Sequence, residues 1–421
     1  MPKIFGAALL ALALAAAPAA AAVTGTAAQP GQIPGETTGR YIVTLQDAPE
    51  AGSADAAVNA AVGRASSMGA VVLHVYRHAL QGYAASMSAA TAAALADEPG
   101  VRSVEPDRPV RIAAQSVPTG VDRAEADLSA TAAIDGKDTR VNADVAVIDT
   151  GVDADHPDLD VYEAGGKNCW LPMLPPMDMH GHGTHVAGTI GALDNDTGVV
   201  GVAPGARIWP VQVLSPFGSG STSNVICGID YVTEHADEIE VANMSLGGSG
   251  KDDGNCGKTN NDAMHQAICN SVAKGVTYAV AAGNDHTDAS GFVPAAYDEV
   301  ITVSALADFD GKSGGLGSAT CRSDRDDTFA NFSNYGRDVD LIAPGVCIRS
   351  TFMNGGYSTL SGTSMAAPHV AGGAALYRAT HAGASPAEVR TALVKAGGTD
   401  WIWPSEDGDG IKEPLLRLRS F

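Results

Sequence analysis

From residue 141 onward, short apolar segments alternate with segments of helical periodicity, and this alternation constrains the fold more than any other feature. The apolar segments predict strands at residues 145–149, 208–213, 241–244, 276–281 and 300–303. Helices are predicted between them at residues 183–191, 222–235 and 261–274. Buried strands joined by helices form a mostly parallel sheet covered on both faces. We therefore expect a three-layer α/β fold, with functional groups at the carboxyl ends of the strands.

Residues 40–112 follow a different pattern, in which strand, helix and strand are followed by strand, helix and strand. The predicted elements are residues 41–45, 54–68, 71–75, 81–87, 88–97 and 101–104. This order is typical of a small α+β, ferredoxin-like unit. An independent binding module is one interpretation of it. Its position between a leader and a larger domain favours a propeptide.

The first residues have the composition of a cleavable secretory signal. Lys3 precedes an Ala/Leu-rich run, and small residues end near Ala22. A membrane anchor is the alternative, but the run is short and rich in alanine for a bilayer span. We expect a signal peptide at residues 1–22, a propeptide at 23–115 and the main domain at 116–421, in a secreted protein without a membrane anchor.

The charge of the main domain limits its partners. Residues 116–421 carry 19 basic and 40 acidic side chains. Phosphate backbones bind to basic surfaces, so nucleic acid is not an expected partner.

Six cysteines, all after residue 115, indicate disulfides in an exported protein. Six cysteines allow about 15 pairings. The pairing that we predict is Cys169 with Cys227, Cys256 with Cys269, and Cys321 with Cys347.

The stretch GTSMAAPHVAG, residues 362–372, places Ser364 at the predicted start of a helix. The N–H groups of a helix start are unpaired and favour an anion, so this serine could attack a carbonyl and hold the resulting oxyanion. Pro368 lies in the first turns, where a missing donor costs least. A helix-capping serine is the alternative interpretation.

Three more motifs end strands or begin helices. In AVIDTG, Asp149 ends a buried strand, where it could orient a histidine or cap a turn. In HGHGTHVAG, glycines flank His182, which favours a ring that reaches a substrate; the HExxH spacing of a zinc site is absent. In AAGN, Asn284 could donate a hydrogen bond to an oxyanion or serve as a turn residue.

The order Asp149, His182, Ser364, within DTGVD, HGTHVAG and GTSMAAPHVAG, resembles that of the subtilisin-like serine peptidases. Residues 333–336, SNYG, are most similar to the proteinase K branch. The resemblance implies a serine endopeptidase in which Asp149 orients His182, His182 takes the proton of Ser364, and Asn284 shares the oxyanion with the Ser364 N–H. Residues 40–112 resemble the inhibitor-type propeptide of this family, which implies a self-processed zymogen inhibited by its own propeptide.

The same resemblance implies how an extended peptide or protein substrate binds. Main-chain pairing with the peptide is assigned to Ser245, Leu246, Gly247 and Gly248. The walls of the specificity pocket are assigned to residues 245–247 together with Ala281, Ala282 and Gly283. Small, uncharged walls imply a preference for a large apolar side chain before the scissile bond, and Phe292 is expected to narrow the pocket.

Structural calcium is the cofactor that the resemblance implies. The first expected site consists of Asp158, Leu193, Asn195, Thr197 and Val199. The second consists of Asp340 with the carbonyl groups of Asp298 and Val300. Acidic surface loops are the alternative for both.

We expect the chain to be a monomer. The sequence is compatible with two other functions. A catalytically silent exported binding protein on the same fold is the main alternative. An esterase is disfavoured because Ser364 does not lie in a GxSxG motif. The Met/Pro-rich residues 171–179 match no motif and are expected to shape the substrate cleft.

Overall fold

The computed structural model describes residues 38–46, 54–107, 115–403 and 408–421. The predicted signal peptide and residues 108–114, which precede the predicted end of the propeptide, lie outside these ranges. The chain divides into two compact units, Met1–Arg111 and Ile112–Phe421.

The smaller unit is the expected α+β sandwich. Its elements are β1 (Thr38–Leu45), α1 (Ala54–Ser67), β2 (Val71–Tyr76), β3 (Gly82–Ser88), α2 (Ala89–Ala96) and β4 (Val101–Pro106). The strands lie in the order β2-β3-β1-β4 with every pair antiparallel. The core contains Val43 and Tyr83 from the sheet with Val58 and Leu95 from the helices.

The larger unit is built on an eight-stranded, mostly parallel sheet. Seven strands follow the order β13-β12-β10-β8-β5-β7-β6, and β14 pairs with β12. The strands of the larger unit, inside and outside this sheet, are β5 (Asp144–Asp149), β6 (Lys167–Asn168), β7 (Arg207–Gln212), β8 (Val241–Met244), β9 (Gly248–Ser249), β10 (Thr277–Ala281), β11 (Phe292–Val293), β12 (Ile301–Ala307), β13 (Thr328–Phe329), β14 (Leu341–Pro344), β15 (Ile348–Phe352) and β16 (Gly356–Leu360). Of these, β9 pairs with β11 and β15 pairs with β16 in two separate small sheets. The helices are α3 (Thr119–Arg123), α4 (His182–Gly191), α5 (Thr222–Glu234), α6 (Ala263–Ala273), α7 (Thr363–Thr380) and α8 (Pro386–Ala396).

Alternating residues of the central strand β5 face two different helical layers. Val145 and Val147 belong to the core that contains α4 and α7. Ala146 and Ile148 belong to the core that contains α5 and α6. The predicted three-layer arrangement is therefore confirmed, since the two pairs of β5 residues pack on opposite sides of the sheet.

Three disulfides join Cys169 to Cys227, Cys256 to Cys269, and Cys321 to Cys347, which confirms the predicted pairing. Each closes a loop inside the larger unit, so each restricts the unfolded chain.

None of the helices in the described part of the chain is long and apolar enough to cross a membrane.

Candidate active site

Asp149 ends β5 at the carboxyl edge of the sheet and is completely buried. Its Oδ1 accepts a hydrogen bond from the Thr150 N–H at 2.7 Å and lies 2.7 Å from Nδ1 of His182. A buried carboxylate needs such donors. Because Nδ1 donates to Asp149, Nε2 of His182 is left without a proton in the neutral ring and can act as a base.

Asp178, which sequence reasoning missed, fixes the start of α4 and thereby the position of His182. Its carboxylate accepts hydrogen bonds from the N–H groups of His180, Gly181 and Thr184 at 2.8–2.9 Å. It also accepts from the hydroxyl of Thr150, the neighbour of Asp149, at 2.9 Å. An acidic residue just before a helix start was the sequence signal for this role.

Burial by itself lowers the pKa of His182, but the charge of Asp149 and the hydrogen bond to it raise the pKa above its ordinary value. The imidazolium form is thus stabilised at this position, as proton transfer to His182 requires.

The third histidine of the motif has a structural role. His185 is fully buried and its Nε2 lies 3.0 Å from the carbonyl oxygen of Ile348. Burial lowers the pKa of His185 to about 3, so the ring stays neutral in the core.

Ser364 is the second residue of α7, and its position depends on Ser245. The Ser364 hydroxyl donates to the Ser245 carbonyl oxygen at 3.2 Å. In return, the Ser245 hydroxyl donates to the Ser364 carbonyl oxygen at 2.8 Å. That carbonyl lies four residues before Pro368, which has no N–H to bond it within the helix. Ser245 therefore replaces the hydrogen bond that the proline removes.

Asn284 faces the same helix start. Its Oδ1 accepts hydrogen bonds from the N–H and the hydroxyl of Thr363, at 2.8 and 3.0 Å. An N–H group can only donate, so the amide atom that faces it must be the oxygen. The NH2 group of Asn284 is consequently the part that is left to bind a ligand.

A cavity of about 660 Å³ is lined by both His182 and Ser364, whereas Asp149 and Asn284 lie outside its lining. Its lining includes His182, Ser364, Ser245, Leu246, Gly247 and Gly248. In contrast, the structure does not place Ala281, Ala282 and Gly283 in this lining. These three residues are buried, and the Gly283 N–H donates to the Thr363 hydroxyl at 3.1 Å.

Phe292, which we expect to narrow the pocket, packs against Gly247 but is not part of the cavity lining. A Cβ atom on Gly247 would lie 2.3 Å from the Phe292 ring, so only glycine fits under it. Gly248 pairs with Val293 in the short β9–β11 ladder.

Residues 171–179 expose apolar side chains shortly before His182 in the chain, although Pro176 and Asp178 are buried. Met173 is 94 % exposed, and Phe217, which lines the cavity, is 89 % exposed. Asn168 anchors the start of the segment, because its side chain accepts from the Leu171 N–H at 2.6 Å and donates to the Pro175 carbonyl at 3.0 Å.

The first expected calcium site has an oxygen-rich donor set. Asp158 is fully buried, and burial raises its pKa despite hydrogen bonds from Val199, Tyr357 and Asn195. The carbonyl oxygens of Leu193 and Val199 converge on the side-chain amide of Gln115, at 2.5 and 3.1 Å.

Gln115 was missed from the sequence because it lies 78 residues before Leu193. Turning its amide over would place a further oxygen beside the two carbonyl oxygens. In the same loop, Asn195 Oδ1 accepts from the N–H and hydroxyl of Thr197. Such a mixed set of carboxylate, amide and carbonyl oxygens fits calcium.

The structure does not support the second expected calcium site. The Arg390 guanidinium donates to Asp340 Oδ1 at 2.7 Å and to the Asp298 carbonyl oxygen at 2.7 Å. Val300, the remaining expected ligand, is buried beside them. A cationic side chain thus binds two of the three oxygens assigned to the metal, and a metal ion there would be repelled by its charge.

The fold and the site define a serine endopeptidase, a hydrolase. The chain belongs to the subtilase family, because residues 141–410 match the model described as "Subtilase family". Residues 40–113 match the model described as "Peptidase inhibitor I9".

Individual proteins agree with this assignment. The chain is 38 % identical over 334 residues to the "Extracellular serine proteinase" of Thermus sp. (strain Rt41A), covering 77 % of this chain and 73 % of that one. It is 38 % identical over 284 residues to "Subtilisin DY" of Bacillus licheniformis, covering 66 % and 91 %. The crystal structure of "a cold adapted subtilisin-like serine proteinase" matches with a TM-score of 0.55 at 32 % identity, covering 71 % of this chain and 97 % of that one.

Proposed function

We propose that this endopeptidase cleaves peptide bonds through an acyl-enzyme formed on Ser364. The observation that carries the proposal is the 2.7 Å contact of Asp149 with His182, at the edge of a cavity that Ser364 also lines. The Ser364 hydroxyl turns from the Ser245 carbonyl to His182 Nε2, which takes its proton as the oxygen attacks the peptide carbonyl. His182 then gives the proton to the leaving amine, and water releases the acyl group by the reverse path.

Two donors hold the negative oxygen of the tetrahedral intermediate. One is the NH2 group of Asn284, whose oxygen is bonded to Thr363. The other is the Ser364 N–H at the start of α7, where the helix dipole favours an anion.

An extended peptide binds along Ser245 to Gly248. In the described part of the chain, Leu246 and Gly247 have no main-chain hydrogen bond, so their N–H and C=O groups are available for an added strand. The lining of the cavity around them is uncharged and partly apolar, with Leu214, Met264 and Val293, which favours a large apolar side chain before the scissile bond.

The chain is made as a secreted zymogen, with a signal peptide at residues 1–22 and a propeptide that acts as its intramolecular inhibitor. We place the processing cut before Gln115, one residue earlier than the boundary of 115 and 116 predicted from the sequence. The Gln115 and Ser116 N–H groups donate to the carbonyl oxygens of Asp196 and Gly198, contacts that belong to the larger unit. A cut after Gln115 would remove this residue from the calcium loop.

Calcium serves as the structural cofactor at Asp158, Leu193, Asn195, Thr197 and Val199, with Gln115 as an additional ligand. Bound there, it supplies positive charge to the buried carboxylate and holds the loop between α4 and β7 to the first residues of the mature domain.

Replacing Ser364 with alanine tests the function. The variant should hydrolyse no peptide and should leave the propeptide attached, because the nucleophile is missing. Electrophoresis of the purified chain and a chromogenic peptide assay measure the two effects. Normal processing in the absence of other proteases would contradict the assignment.

The main alternative, a silent binding protein on this fold, makes a different prediction. A fluorophosphonate probe labels only an activated serine, so the wild-type protein should react and Ser364→Ala should not. A wild-type protein that stays unlabelled after processing would favour the binding protein.

A further inference from the structure

His265, on α6, has no role in the mechanism proposed above and is held rigidly. Its ring is 0 % exposed and lies parallel to the Tyr297 ring, with 4.0 Å between centroids and 2° between planes. The Tyr297 hydroxyl donates to Asp262 Oδ2 at 2.6 Å, and Asp262 caps the start of α6. Stacking and capping together fix the direction of both ring nitrogens.

The two nitrogens of His265 have different surroundings. Nε2 lies 2.8 Å from a carboxylate oxygen of Glu299, which can only accept, so Nε2 carries a proton. Nδ1 is buried and has no hydrogen-bond partner among the described residues. It faces Oδ1 of Asp252 at 3.5 Å and Oδ1 of Asp253 at 3.6 Å. In the neutral ring, a lone pair therefore faces two carboxylate oxygens, an arrangement that calls for a cation between them.

The spacing matches a metal ion. Zinc binds nitrogen and carboxylate oxygen at about 2.0–2.2 Å, and tetrahedral geometry then separates the ligand atoms by roughly 3.3–3.6 Å. Both distances from Nδ1 fall at the upper end of that interval. Binding by Nδ1, with the other ring nitrogen donating to a carboxylate, is also the usual arrangement of a metal-bound histidine.

The two carboxylates are held in place before any ion binds. Asp253 accepts hydrogen bonds from four main-chain N–H groups, those of Asn255, Gly257, Thr259 and Asn260, at 2.7–3.2 Å. Asp252 Oδ1 accepts from the Gly254 N–H at 2.7 Å. The Cys256–Cys269 disulfide ties this loop to α6, and its sulfurs are oxidised and thus not available as thiolate ligands.

We propose that Asp252, Asp253 and His265 bind one divalent transition-metal ion, with zinc as the best match and a water molecule as the fourth ligand. The imidazole nitrogen favours zinc over calcium, which prefers oxygen ligands. The Asp252 side chain is 18 % exposed, which provides a path for the ion and for the water. The bound ion joins the disulfide loop to α6 and stabilises the fold there.

The test measures zinc binding to the full chain carrying Ser364→Ala, which prevents self-digestion, at pH 7.5 in saturating calcium. Isothermal titration gives affinity and stoichiometry, metal analysis after dialysis gives bound zinc, and the melting temperature is recorded with and without zinc. Asp252→Asn and Glu299→Gln are the test variants, because both side chains are partly exposed and their loss should leave the protein folded. Asp237→Asn, which changes an exposed carboxylate after α5, is the matched control.

We expect one zinc ion and a higher melting temperature in the parent and in Asp237→Asn. Asp252→Asn should lose at least tenfold in affinity and most of the thermal shift, and Glu299→Gln should lose about 10- to 100-fold in affinity. Zinc bound elsewhere, for example at His182, would persist in every variant. Equal zinc binding in all four proteins would overturn the proposal. So would a melting temperature that depends on pH but not on zinc, which would identify a proton as the shared cation.

Discussion

At the scale of single residues, the proposed site depends on side chains with two polar atoms, of which one makes a structural hydrogen bond and the other faces the substrate. Asn284 uses its oxygen to bind Thr363, which leaves its NH2 group for the oxyanion of the proposed mechanism. His182 uses Nδ1 to bind Asp149, which leaves Nε2 for the serine proton in the same proposal. In both, a structural hydrogen bond at one end orients the reactive atom at the other.

Asn284→Ala should therefore lower kcat by about 10²- to 10³-fold, the loss that removal of this donor causes in subtilisin, a member of the same family. KM should change little, because the donor acts mainly on the transition state. Asn284→Asp is the informative partner, since it keeps an acceptor for Thr363 but has no NH2 group. Steady-state kinetics on a peptide substrate measure both variants. Full activity in Asn284→Asp would remove the amide from the oxyanion site.

The pH dependence of His182 follows from its raised pKa. Only the neutral ring accepts the serine proton, so kcat/KM should fall on the acid side with a midpoint above about 6.5, the ordinary histidine value. In Asp149→Asn burial is opposed only by the charge of Asp178, and the pKa of His182 should drop below that value. NMR titration of the ring in the Ser364→Ala chain measures both pKa values directly. An unchanged pKa in Asp149→Asn would contradict the stated cause.

At the scale of elements, sequence periodicity located most strands and helices that position the site. It predicted β5, α4 and β10 to within a residue or so, because buried elements repeat apolar residues regularly. The β15–β16 hairpin was missed, since β16 is partly exposed and the middle of the buried strand β15 is polar, so neither strand carries such a repeat. The α8 helix was also missed although Ser385 and Glu388 form a capping box before its first turn.

Local sequence patterns could not predict contacts between residues that are distant in the sequence. Arg390 bonds to Asp340 across 50 residues of sequence, and nothing near either residue indicates the other. The second calcium site combined residues from distant parts of the chain, and Arg390 binds two of its oxygens. The first site takes four of its five expected ligands from alternate positions of one loop, residues 193 to 199.

Calcium removal should distinguish between the two calcium sites predicted from the sequence. Removing calcium from the Ser364→Ala chain with EGTA should lower the melting temperature, and adding calcium back should restore it, because an ion bound only to the folded state stabilises that state. Asp158→Asn should abolish this response. Asp340→Asn should keep the response, since Arg390 rather than a metal ion faces that carboxylate. Differential scanning calorimetry measures all three, and an identical response in Asp158→Asn would exclude the first site.

At the scale of the larger unit, two histidines within the core make the fold sensitive to acid. His185 and His369 are fully buried, and burial lowers their pKa values to about 3 and about 4. Below about pH 6.5, both histidines bind a proton in the unfolded chain, whereas their lowered pKa values disfavour protonation in the folded chain. The stability that each contributes is present above that pH and is lost as the pH falls. His182, with its raised pKa, contributes stability that is fully present below pH 6.5 and does not offset this loss.

His369→Gln should make the fold less sensitive to acid. Between about pH 6 and 4.5, its free energy of unfolding should fall less steeply than that of the parent, by about 1.4 kcal/mol per pH unit. Urea unfolding of the Ser364→Ala chain with and without the substitution measures the two slopes. Parallel slopes would show that His369 is not responsible.

The hydrogen bond from the Ser245 hydroxyl to the Ser364 carbonyl has a consequence for protein engineering. Ser245 begins the proposed peptide-binding segment and also bonds the carbonyl that Pro368 leaves open in α7, the helix of the proposed nucleophile. Grafting a foreign specificity loop over residues 245–248 without a serine at its first position would leave that buried oxygen unsatisfied. Turnover would then decrease, in addition to the change in selectivity. Loop libraries for this scaffold should hold Ser245 constant and vary the three residues that follow it.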